Sequence, residues 1–323
     1  MVLNLVEIPQ PAPTHPNHAV PRDGWGRPII VPKAGGKPTG HTRTTTFIDC
    51  IEDKSNLNDW GKRMVLLGAT KRPDLIAKAG ALDPEADKKQ LNALAEQAAD
   101  ASGANDKREK GTYLHSLTEY ADRAEPLPPG ASAADLEDIA AYMMATSAMT
   151  VVSAEQFVVV NQLGAAGTFD RLMNYDGPGP DGERITGNFI ADVKTGGIEY
   201  GALKMASQLA VYSRGELYDH TYFPVDAKDK KALAAWKKRQ FSAEEAAQAY
   251  MPLPDVNQEW GIIIHLPSGT GVCKLHWVDL TIGWELAQLA LTIRKARTGK
   301  GKAMFPFRGF VEAPVVDTVG PSV

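Results

Sequence analysis

Apolar residues along this chain follow two spacings in turn, and the change from one to the other divides it. Over residues 53–69, Leu57, Trp60, Met64 and Leu67 recur at helical spacing. Over residues 83–101, Leu91, Leu94, Ala95 and Ala98 share one stripe, the pattern of an amphipathic helix. A shorter helix is predicted over 72–80 between them. Residues 102–110 are polar and read as a loop. Gly111 and Thr112 open a further helix to about Arg123, the proline-rich 126–130 interrupts, and 134–150 predicts another helix. The period then shortens. Residues 155–161, 167–173 and 188–194 read as strands, with the Pro/Gly-rich 176–182 as the turn between the last two. A helix over 200–217, a charged and mostly helical insertion over about 225–250, strands at 260–266 and 272–279 and a closing helix over 282–297 complete the pattern. This order predicts one mixed α/β domain over 42–297. It divides into a helical part (53–150) and a core (151–297) whose central mixed sheet is flanked by helices.

The ends differ in texture. Residues 1–41 hold Pro9, Pro11, Pro13, Pro16, Pro21, Pro28, Pro32 and Pro38 with several glycines, which predicts an extended or irregular arm; no chemistry is assigned to it. Thr44-Thr45-Thr46-Phe47-Ile48 is a β-branched and apolar stretch. Residues 298–323 read as a tail.

Composition narrows the class. With 43% apolar and 23% charged residues, the chain reads as an ordinary globular protein. No apolar run approaches the ~20 residues of a membrane helix, so no membrane association is expected. The opening residues show no secretory pattern, and the two cysteines, Cys50 and Cys273, make no disulfide framework. A reducing cytoplasm is the expected setting, the host's if the chain is phage-encoded. Net charge is −4, which argues against a protein that coats nucleic acid over its whole surface. The basic residues are uneven, however. Lys228, Lys230, Lys231, Lys237, Lys238 and Arg239 cluster, and Arg294, Lys295, Arg297, Lys300, Lys302 and Arg308 form a second stretch without an acid. Each is either a solvated face or a rim that tracks phosphates.

The candidate chemistry lies on the predicted strands. In Asp192-Val193-Lys194-Thr195-Gly196, alternation points Asp192 and Lys194 to one face. A carboxylate there can hold Mg²⁺, and an ammonium beside it can orient water and offset charge on a phosphate. Gly167-Thr168-Phe169-Asp170 ends the preceding strand with another acid. In a meander, Asp170 and Asp192 would meet at one edge and repel unless a cation intervenes. Otherwise Asp170 pairs with Arg171 or Lys194 in a structural bridge. His115 lies in the first turns of its helix with Glu119 on the same face; imidazole suits Mn²⁺ better than Mg²⁺. Lys204, Gln208 and Tyr212 form a polar stripe opposite Leu203, Ala206, Ala210 and Leu217, facing either the site or solvent.

The ordered set G-T-Y-L-H (111–115), E-Q-F-V-V (155–159), G-T-F-D (167–170), D-V-K-T-G (192–196) and Q-L-A-V-Y (208–212) resembles the RecB-like branch of the PD-(D/E)XK nuclease superfamily. It is especially similar to the stand-alone exonucleases of bacteriophages and CRISPR adaptation systems. The resemblance covers roughly residues 42–297. It implies a restriction-endonuclease-like core. It further implies that His115, Asp170, Asp192 and the Val193 carbonyl bind Mg²⁺ or Mn²⁺ and that Lys194 is the catalytic lysine. Glu155 would be a supporting catalytic acid, and Gln208, Tyr212 and Lys204 would contact substrate. The substrate implied is DNA, as single strands or ends, in recombination, repair or phage DNA processing. Many members of this branch carry an iron–sulfur cluster on four cysteines; with two cysteines, none is expected here. A structure-specific endonuclease on the same core, or a non-catalytic nucleic-acid-binding accessory protein, are the competing expectations. No G-x-x-x-x-G-K-[ST] motif occurs, so any unwinding would come from a helicase or recombination partner.

Overall fold

The structure, a computed structural model, describes residues 20–298. In chain order, β1 (Ile29–Ile30) and β2 (Thr39–Gly40) form a two-stranded ribbon. The two-residue β3 (Thr42–Arg43) follows and leads into α1 (Thr44–Ile48). Helices α2 (Ser55–Lys71), α3 (Pro73–Ala79), α4 (Lys88–Ala101), α5 (Asp106–Asp122) and α6 (Ala133–Ala145) precede the long strands β4 (Met149–Val160), β5 (Ala165–Pro178) and β6 (Arg184–Lys194). After α7 (Ala202–Ser213) come β7 (Glu216–Tyr218), α8 (Lys230–Trp236), α9 (Ala243–Ala247), β8 (Tyr250–Pro252), β9 (Trp260–His265), β10 (Lys274–Asp279) and α10 (Leu280–Thr298). The fold is mixed α/β. One eight-stranded sheet runs β10-β9-β6-β5-β4-β7-β8, with β3 paired to β5. Its β6–β9 and β3–β5 pairs are parallel and the others antiparallel.

Strand alternation decides what each face receives. Phe189, Ala191 and Val193 of β6, with Ile262 and Ile264 of β9, pack on Leu114 and Leu117 of α5 and Ile139 and Tyr142 of α6. Ile190 and Ile263 turn the other way, onto Met205, Leu209, Ala210 and Tyr212 of α7 and Leu280 of α10. Helices therefore cover both faces of the central strands. The α7–α10 contact is close: a Cβ at Gly283 would lie 2.2 Å from the carbonyl oxygen of Ala206, so only glycine admits this crossing. That contact holds the helix that carries Gln208 and Tyr212.

Several sequence expectations change. The helix bearing His115 begins at Asp106, five residues before Gly111, so His115 sits in mid-helix and part of the expected loop 102–110 is helical. Asp106 and Glu109 occupy its first turn, where carboxylates favour the helix N-terminus. The helix expected to reach Thr150 stops at Ala145, and Met149 and Thr150 open β4. Asp170 lies inside a strand that continues to Pro178. The helix expected to reach Leu217 stops at Ser213, and Leu217 is in β7. The stripe on α2 is not buried: Leu57, Trp60 and Leu67 are 57%, 40% and 55% exposed. Their spacing specifies a helix, and no element among the described residues covers most of that face.

The arm and the insertion meet in a second core. Val20, Ile29, Ile30 and Val31 pack with Tyr218, Phe223, Trp236, Phe241 and Tyr250, and Tyr250 Oη donates to the Val31 carbonyl at 2.8 Å. The region 225–250 is less helical than expected, because α8 and α9 are short and Tyr250 belongs to β8. Among the described residues no helix is long and apolar enough to cross a membrane.

Candidate functional site

The site forms where two neighbouring strands part. β5 and β6 pair from Pro178–Arg184 down to Arg171–Ala191 and no further. Beyond that point Asp192, Val193 and Lys194 pair only with β9. Residues Ala165 to Phe169 are bonded to β4 along their other edge, so β3, which pairs with Ala165 and Ala166, lies on the side that β6 has left. Asp170 stands in the split, and its Oδ2 accepts the Val193 N–H at 2.9 Å.

Across from Asp170, β4 is irregular. Its ladder pairs Ala154 with Arg171 and Gln156 with Phe169 and passes over Glu155 and Asp170. Glu155 has φ +51°, a left-handed conformation costly for a non-glycine residue. This kink re-aims its carboxylate toward α5. There His115, Glu119 and Glu155 each bring a donor atom to within 4.8 Å of the other two. His115 Nε2 also lies 3.1 Å from Asp170 Oδ2 and 3.8 Å from Glu155 Oε1.

Asp192 is nearly enclosed, at 3% exposure. Its Oδ2 is ion-paired with Lys194 Nζ, and its Oδ1 accepts from Gln208 Nε2 at 3.2 Å. Asp192 and Lys194 therefore share a face, with Lys194 the more exposed of the two. Tyr212 is buried one turn on, its hydroxyl near Gln208 and Thr44; burial, then the charges of Asp170 and Asp192, push its phenol upward. It stays protonated and remains a donor. Lys204 departs from the expected stripe. Its ammonium is held by Asp49 at 3.1 Å and Glu52 at 2.7 Å, two acids on the segment after α1, and Leu203 beside it is 60% exposed. Val193 buries its side chain under α5 and α6.

The protonation pattern follows from crowding. Burial opposes charge on Asp170, but the hydrogen bond and charge of His115, with Arg171 and Lys194, hold it below the usual carboxylate range. Burial, then the Asp170 charge, pushes Asp192 up to about 6. The same two causes, in the same order, push Glu155 up to about 7. Burial works against a charged His115, yet Asp170 raises it. One carboxylate is thus fixed as an anion and two are poised near neutrality, an arrangement a cation would relieve.

Sequence reasoning missed the support beneath this cluster. Arg171 is fully buried and does not bridge to the Asp170 carboxylate, the pairing the sequence offered. Its Nε donates to Asp122 Oδ2 at 2.6 Å and its Nη2 to Thr118 Oγ1 at 2.9 Å, while Tyr142 Oη donates to Asp122 Oδ1 at 2.6 Å. Its Nη1 lies 3.4 Å from His115 Nε2 and 3.7 Å from Glu155 Oε1. Asp122 and Thr118 are seven and three residues beyond His115 on one helix, a spacing that carried the only signal.

The donor set fits a hard divalent cation with one nitrogen ligand. The observation that favours such an ion is Glu155 Oε1, which is buried without a hydrogen-bond partner, a condition that calls for an explanation. Among the basic clusters, Arg294 serves the fold, donating to the Thr46 carbonyl and Thr42 Oγ1. Lys228, Lys230, Lys231 and Lys238 are exposed, and Lys300, Lys302 and Arg308 lie outside the described residues. Compared with known protein families and with curated proteins, the chain matches no family and no individual relative.

Proposed function

We propose that this protein is a metal-dependent deoxyribonuclease, a phosphodiester hydrolase of the RecB-like PD-(D/E)XK kind. In this reading it works as an exonuclease on single strands or ends of DNA in the cytoplasm. The observation that carries the reading is the convergence of His115, Asp170, Glu155, Asp192 and Lys194 at one split in the sheet. These residues come from three strands and a helix, and a buried ion pair needs no such gathering.

His115, Asp170, Asp192 and the Val193 carbonyl would hold Mg²⁺ or Mn²⁺, with Glu119 and Glu155 as further oxygen donors. The bound ion would supply Lewis acidity toward phosphate and lower the pKa of water. Lys194 presents its ammonium beside Asp192, where it can orient an attacking water and offset charge growing on the phosphate oxygens. Gln208 fixes the Asp192 carboxylate by a hydrogen bond. Glu155 would support the site as one of these oxygen donors, the bound ion offsetting its repulsion with Asp170.

The test is direct. The protein is incubated with single- and double-stranded DNA labelled at either end and with a closed circle, in Mg²⁺, Mn²⁺ or EDTA. Cutting of labelled ends with either ion, at least as fast in Mn²⁺, and none in EDTA or on the circle, is the expected result. Full activity in EDTA would sink the metal reading. Cutting of the circle would replace the exonuclease by an endonuclease on the same core.

A further inference from the structure

The split that holds Asp170 continues toward the N-terminal arm as a groove of about 350 Å³. Arg22 comes from the arm, Arg43 from β3, Thr44 and Thr45 from α1, Thr168 from β5 and Tyr212 from α7. Two arginines and four hydroxyl-bearing residues thus line one space, and Arg22 Nη1 donates to the Gly26 carbonyl on its rim at 3.0 Å. Among the described residues lining it there is no carboxylate, in a chain whose net charge is −4.

Two details show a built cavity. One wall is Gly167, where an added Cβ would crowd Tyr212 Oη at 3.0 Å and Thr44 Oγ1 at 3.1 Å, so glycine lets these two hydroxyls sit close against β5. Thr44 is 1% exposed, and its hydroxyl lies near that of Tyr212 yet makes no well-aligned hydrogen bond. A buried hydroxyl without such a bond is a donor waiting for an acceptor.

We propose that this arm-lined groove is a phosphate subsite, in which Arg22, Arg43 and the hydroxyls of Thr44, Thr45 and Tyr212 bind a phosphate of the same strand that is cut at Asp170. The inference rests on the nuclease reading for the identity of that strand. The placement suits it. Thr168 and Asp170 are two residues apart on β5, about 7 Å, the reach of one nucleotide. Arginine and hydroxyl donors are what phosphate oxygens take, and such contacts set register and orientation. The residue that resemblance left without chemistry, Arg22, becomes a substrate contact. The ribbon β1–β2 and the core around Ile30 would then be anchored in order to hold it.

The experiment measures binding of a short single-stranded oligonucleotide, with or without a terminal phosphate, to the full-length protein in EDTA over a salt series. Parent, Arg22→Ala, Arg43→Ala and a control, Arg184→Ala, are compared. Arg184 is an exposed cation at the β5–β6 turn, paired with Asp176. Each groove variant should bind roughly tenfold more weakly and lower the salt slope by about 0.7, with the control unchanged. Loss of the difference when the terminal phosphate is removed assigns the subsite to the strand end; its persistence assigns it to an internal phosphodiester. Unchanged affinity and slope in both groove variants, or no binding by the parent, overturns the proposal. Catalysis plays no part in EDTA, so the two readings fail separately. A parent that cuts DNA with Mn²⁺ while its groove variants bind normally loses only the subsite. A parent that binds through both arginines yet cuts nothing loses only the nuclease.

Discussion

The Val193 N–H donates to Asp170 Oδ2 at 2.9 Å, so a side chain takes the place of a ladder bond where β5 and β6 separate. That substitution ties the carboxylate to the geometry of the split. The backbone amide fixes one oxygen, and His115 meets the same oxygen at 3.1 Å. Asp170 is both a strut between strands and the anion around which the neighbouring charges are ordered.

Asp192 and Glu155 set a pH dependence. Their carboxyls are raised to about 6 and about 7, so the folded state holds these protons more tightly than the unfolded chain does. This contribution to stability is fully present below the unfolded values, near ~4, and is lost as pH rises through about 6 and about 7. For Asp192 the loss is on the order of 3 kcal/mol. In EDTA, Asp192→Asn should therefore gain in Tm relative to the parent as pH rises from about 4.5 to about 7.5. Saturating Mn²⁺ should close most of that gap at the upper pH, because a ligand at ~100 times its Kd adds about 2.7 kcal/mol to the parent alone. Melting curves at both pH values decide it. An Asn variant that tracks the parent throughout would mean that Asp192 bears no burial penalty.

Lys194→Ala separates chemistry from folding. Its ammonium is partly exposed beside Asp192, so the variant should fold and bind DNA. Cutting should fall by about 10²–10³, the usual loss for a donor to a developing charge. Single-turnover rates beside a thermal melt provide the check, and near-normal cutting by a folded variant would misplace the active site.

Gln208→Ala removes the hydrogen bond to Asp192 and leaves Lys194 in place. Cutting at low DNA concentration should drop, while the Tm gain on adding Mn²⁺ persists. Unchanged cutting would show that the α7 stripe has no part in the reaction.

Arg171→Ala tests the support beneath the cluster. The guanidinium is fully buried and paired with Asp122 and Thr118, so its loss strands a buried carboxylate and should cost about 3–5 kcal/mol. Urea denaturation should show that loss with Mn²⁺ absent, whereas Lys194→Ala should lose far less. Equal midpoints for the two variants would remove Arg171 from its role as scaffold.

By itself the sequence singled out the candidate residues for the proposed chemistry and most of the elements they ride on. Period-2 alternation put Asp192 and Lys194 on one face, and period-3.6 spacing put His115 and Glu119 on another, because local backbone geometry fixes both. It did not determine where those faces meet. The split between β5 and β6, the kink at Glu155 and the buried Arg171–Asp122 pair depend on strand register and on helices packed across the sheet, contacts between residues far apart in the chain. The arm shows the same division. Its prolines specified an extended segment, but only tertiary packing against Tyr218, Trp236 and Tyr250 set it beside the site. Composition constrains backbone angles, while burial depends on what lies opposite.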